Sequence, residues 1–147
     1  MNKTIPALAL VLASCATPPQ IHHFDKSWDM PSSFDKTWTA TVEVFAEKGW
    51  PIANIEKDSG LIASEWVRLN ANDGFADCGS PGLAISESRE VKFSVFVKDG
   101  TSSPRLTVNT QFREHRRLDT SRFIQDCTSY GTLEARIRRQ ILDILEE

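Results

Sequence analysis

Two stretches in the middle of the chain alternate strictly between apolar and polar side chains. Val91, Phe93, Val95 and Val97 interleave with Lys92, Ser94, Phe96 and Lys98. After a turn-rich run at 99–104, Leu106, Val108, Thr110 and Phe112 interleave with Arg105, Thr107, Asn109, Gln111 and Arg113. A period of two on both sides of a Gly-containing turn predicts an antiparallel hairpin with one buried and one solvated face. Two other stretches have helical spacing. Phe34, Trp38, Thr41, Val42 and Phe45 form one apolar face, with Ser32 as a cap, Asp35 as its capping-box partner and Gly49 as a stop. Leu133, Ile137, Ile141, Ile144 and Leu145 form a second stripe from about Thr132, with Glu134 and Arg138 as an outward i,i+4 pair.

Weaker signals complete the chain. Residues 21–29 read as a first strand or an extended lead-in, and 52–58 as a strand. Ser59-Gly60 forms a tight turn, and 61–69 returns as a second strand. Residues 70–82, rich in Asn, Asp, Gly and Ser, read as a loop. Residues 113–122 are basic, and 123–127 lead into Ser129-Tyr130-Gly131. The order of elements implies an α+β two-layer sandwich: an antiparallel sheet of about four to six strands with two helices on one face.

The N-terminus follows a different rule. Residues 5–13 are apolar and too few to span a bilayer, which takes about 20 residues. Small residues and a cysteine follow, as Leu12-Ala13-Ser14-Cys15. This run resembles the signal peptide and lipobox of bacterial lipoproteins. The resemblance implies a signal peptide at 1–14 and lipidation of Cys15, which would become the first residue of the mature chain. A short tether at 15–20 would follow, containing Pro18 and Pro19, then a single domain at 21–147. Ala16 rather than Asp after the anchor implies, by similarity to enterobacterial sorting, the periplasmic face of the outer membrane.

Composition refines this picture. The chain of 147 residues carries 17 basic and 20 acidic side chains. Loss of Lys3 with the signal peptide leaves a mild negative charge, which gives no global attraction to nucleic acid. Four Trp and eight Phe supply bulk for a core. With Cys15 lipidated, Cys78 and Cys127 remain as one pair in an oxidising compartment, where a disulfide is expected.

Three sets of residues together resemble a family of small proteobacterial lipoproteins. They are Phe34-Asp35-Lys36-Thr37-Trp38, then Gly49-Trp50-Pro51-Ile52 with Lys57-Asp58-Ser59-Gly60-Leu61-Ile62, and Asp77-Cys78-Gly79 with Cys127-Thr128-Ser129-Tyr130-Gly131-Thr132-Leu133-Glu134. The family is related to component C of the outer-membrane β-barrel assembly machinery. The resemblance covers most of 32–146 and implies a helix-grip-like fold.

Candidate chemistry is sparse. His22, His23 and Asp25 are a weak metal set, because adjacent residues of a strand face opposite ways. His115 lies between Glu114 and Arg116-Arg117 and reads as a surface residue. No spacing argues for a catalytic triad, a phosphate loop or a cofactor site. The basic residues Arg113, Arg116, Arg117 and Arg122 are candidate contacts for a partner or for lipid head groups. Trp66 is the tryptophan singled out with them, because it lies near the loop that carries Cys78. The expected function is that of a non-enzymatic, lipid-anchored domain that binds an envelope protein. The alternative is a carrier holding a lipid or other apolar molecule between sheet and helix.

Overall fold

The computed structural model describes residues 15–70 and 73–147; the expected signal peptide at 1–14 lies outside them. The elements are β1 (Ser27–Asp29), α1 (Phe34–Glu47), β2 (Ile52–Glu56), β3 (Leu61–Ser64), β4 (Val67–Leu69), β5 (Ala76–Asp77), β6 (Ile85–Lys98), β7 (Arg105–Leu118), β8 (Ser121–Ser129) and α2 (Thr132–Leu145). The α+β class stands, but the sheet is larger than the four to six strands expected. All eight strands belong to one antiparallel sheet, in the order β2-β3-β6-β7-β8-β5. β4 extends the sheet beside β3 along β6, and β1 lies along β7 beyond the end of β8.

The alternating hairpin is the centre of this sheet. Val91, Phe93, Val95 and Val97 stand opposite Phe112, Thr110, Val108 and Leu106, so all eight face inward. β6 and β7 run past the alternating segment to 14 residues each, and the chain then turns at Asp119 and returns as β8. β8 is the principal strand absent from the sequence pattern. β7 from Arg113 to Arg117 is polar on both faces, and Phe123 and Ile124 are adjacent, so neither segment shows a period.

Both helices pack on the inward face. Phe45 of α1 meets Phe93 with ring centroids 5.3 Å apart, and Trp50 closes against both rings at 5.5 and 4.8 Å. Ile137 and Ile141 of α2 are fully buried. Ser33, rather than Ser32, caps α1 and accepts from the Lys36 amide. Glu134 is buried rather than outward: its carboxylate accepts from the hydroxyls of Thr110 at 2.5 Å and Ser129 at 2.9 Å. Arg138 lies over the Trp28 ring at 5.5 Å. The expected outward pair is thus replaced by two separate inward contacts.

Candidate functional site

The parity of β7 separates the four arginines. Arg113, His115 and Arg117 share the outward, helix-free face, whereas Glu114 and Arg116 share the inward face with Phe112. The helices do not cover this end of the inward face. It is covered by the 75–84 loop, which the disulfide between Cys78 and Cys127 closes onto β8. Cys127 stands opposite Phe112, so the bridge lies directly beside the last apolar layer.

Under the loop, Glu114 is fully buried and Arg116 is 4 % exposed. Arg89 donates to Glu114 at 2.7 Å, and Arg116 donates to its other oxygen. Arg116 also donates to the carbonyls of Cys78 at 2.5 Å and Gly79 at 3.3 Å. Burial pushes the Glu114 carboxyl up, but the two guanidinium hydrogen bonds outweigh it and hold the pKa below the ordinary value. Arg116 is therefore an internal clamp on the disulfide loop. It differs in this from the other three arginines, with which the sequence groups it.

The outward face carries the rest of the set. Arg68, Glu90, Arg113 and Asp126 stand side by side across β4, β6, β7 and β8, a row of alternating charge. Glu90 takes hydrogen bonds from His115 at 3.0 Å and from Arg113 at 2.8 Å, which lower its pKa. Arg113 lies over the Trp66 ring, 3.7 Å from its centre. Trp66 stands apart from the apolar core that holds Trp28, Trp38 and Trp50. A cleft of about 570 Å³ opens beside this stack, lined by Trp66, Gln111, Arg113, Ile124 and Asp126 among others. Further along, Arg117 at 2.9 Å and Arg122 at 3.1 Å both hold Glu87, whose pKa they lower, Arg117 chiefly.

The segment expected as a tether is sewn to the loop. Ser80 donates its amide to the Thr17 carbonyl at 3.0 Å. The Gln20 amide donates to Asp77 at 3.0 Å, and the Thr128 hydroxyl donates to the Gln20 carbonyl. Hydrogen bonds from the Gln20 and Gly79 amides hold the Asp77 carboxyl below its ordinary range. His22 contacts Asp77 at 3.4 Å and packs on Tyr130. Cys15 is exposed. Sequence pattern could not place this segment, because the contacts it makes are with the 75–84 loop, β8 and Tyr130, all distant in sequence.

Among known proteins, no family model and no curated sequence matches the chain.

Proposed function

We propose that the chain is a non-enzymatic lipoprotein, anchored through Cys15 at the periplasmic face of the outer membrane. It binds a protein partner in envelope assembly or maintenance through the helix-free face of its sheet. The observation that carries this reading is the Trp66–Arg113 stack beside its cleft. Partner surfaces concentrate affinity in aromatic and arginine side chains set in a pocket. Here Glu90 and Trp66 hold Arg113 in place, so little side-chain entropy remains to be lost on binding. The envelope setting comes from Leu12-Ala13-Ser14-Cys15 and the resemblance to relatives of component C.

The carrier alternative requires an apolar cavity between sheet and helices. That space is occupied by Phe45, Phe93, Trp50, Ile137 and Ile141, which favours the partner reading. The test is a photo-crosslinking residue placed at Trp66 or, on the helix face, at Glu43. An envelope-protein adduct is expected from position 66 alone. Adducts of equal yield from both positions, or none from 66, would defeat the proposal.

A further inference from the structure

We infer that the far end of the β6–β7–β8 ribbon is a membrane-contact tip. It seats in the surface of the bilayer that holds the Cys15 acyl chains; the inference rests on lipidation of Cys15 as proposed above.

The first observation is where the anchor emerges. Thr17 pairs with Ser80, and a β-carbon built at Gly82 would stand 3.1 Å from the Ala16 side chain. Cys15 therefore leaves the domain beside Gly82 and Leu83. Because Thr17 and Gln20 are held to the 77–80 stretch and to β8, no free length separates the anchor from the domain. Acyl chains on Cys15 would bring the bilayer surface to this end of the molecule.

The second observation is what lies at this end. Leu83 is 84 % exposed, Ile85 54 %, Leu118 48 % and Phe123 43 %. Leu118 and Phe123 are on the inward face, and Ile85 is on the outward face. Exposed apolar side chains thus stand on both faces of the tip, as befits an end that enters a medium rather than a surface that docks on one side. Apolar residues bunched in this way mark contact sites. Interfacial segments bury such side chains about 5–10 Å into the boundary between head groups and acyl chains. Glu87, which pairs with both Arg117 and Arg122, and Asp119 in the adjacent turn together balance the two arginines in formal charge, so the contact is chiefly apolar in character and depends little on anionic lipid.

The opposite end provides the control. Ser102 lies in the turn between β6 and β7, separated from the tip by the 14 residues of β6. At about 3.3 Å per residue this is roughly 40 Å, beyond the reach of the interface.

A photo-crosslinking residue placed at Leu83, Phe123 or Ser102 in the full chain tests this. The lipidated protein is purified and incorporated into vesicles of phosphatidylethanolamine and phosphatidylglycerol. Lipid adducts are expected from 83 and 123 and not from 102. With a reporter at Ile85 instead, L83D combined with F123D should reduce its lipid adduct severalfold while the fold is kept, because all three side chains are exposed. Fatty-acid labelling of the same preparations separates the two readings. Label present with no lipid adduct at 83 and 123, or with equal adducts at 102, overturns the tip alone. A protein adduct in place of lipid assigns the tip to a partner and also overturns it. Absence of label overturns the anchor and the tip together.

Discussion

Glu114 and Arg116 are neighbours in sequence to residues of the opposite fate, because successive side chains of a strand face opposite ways. Removing one member of a buried, hydrogen-bonded charge set leaves the others uncompensated at about 3–5 kcal/mol. Glu114→Ala strands the buried Arg116, so its urea midpoint should fall by that equivalent with the slope unchanged. Arg122→Ala removes a largely exposed pair and should leave the urea midpoint nearly unchanged. Acid gives an independent reading of the same set. Glu114 has a pKa below its unfolded value, so the folded state binds fewer protons around that range. Its stabilisation is complete above the ordinary glutamate value of about 4.3 and is lost as pH falls through the lower folded value. The wild-type urea midpoint should therefore decline on acidification below that range. Glu114→Gln should start lower and decline less steeply, and a parallel decline would refute the role given to Glu114.

At the scale of elements, the disulfide is the fastening of the 75–84 loop. Its 49-residue separation corresponds to about 4 kcal/mol in the chain-entropy account. Cys78→Ala with Cys127→Ala should lower unfolding free energy by up to that amount, measured by urea unfolding against the oxidised wild type. Gly131 is a second point of control. Its φ is +84°, and a β-carbon there would come within 2.4 Å of the Phe24 ring. Gly131→Ala should destabilise by more than the about 1 kcal/mol of an average point substitution, since it strains the α2 cap and displaces Phe24 together. Elements with an apolar period were legible in sequence: the β6–β7 hairpin, both helices, and the β2–β3 turn at Ser59-Gly60. The pairing of Cys78 with Cys127 was legible from parity and compartment. β8 was not, because its partner segment on β7 exposes charge on one face and buries charge on the other. A buried glutamate or arginine has the same letter as an exposed one. The same limit hid the inward turn of Arg116 and Glu134, whose burial depends on partners distant in sequence.

For the whole molecule, the two helices and the sheet make one core, and the disulfide loop and N-terminal segment make a second layer at its uncovered end. Segments 16–24 and 75–84 are tied to each other, to β8 and to the Arg116 clamp, and meet the main core through Phe75, Ala76 and the Phe24 ring against Gly131. Such a unit should open as one, with a free energy below that of the core. Reduction of the disulfide removes the covalent tie on one side of this unit while the Val91–Phe112 and Val95–Val108 layers stay intact. Hydrogen exchange after reduction should therefore accelerate together at the amides of Ser80 and Gln20, the first bonded to Thr17 and the second to Asp77. The amides of Val97 in β6 and Val108 in β7, which donate to the Gly60 and Lys26 carbonyls, should keep their protection. Acceleration at Ser80 without Gln20 would mean that the N-terminal segment is held independently of the loop. With Cys15 lipidated as proposed, the anchor would then keep its position at the tip in the reduced protein. Coupled acceleration would instead make the orientation of the domain on the proposed membrane depend on the oxidised bridge.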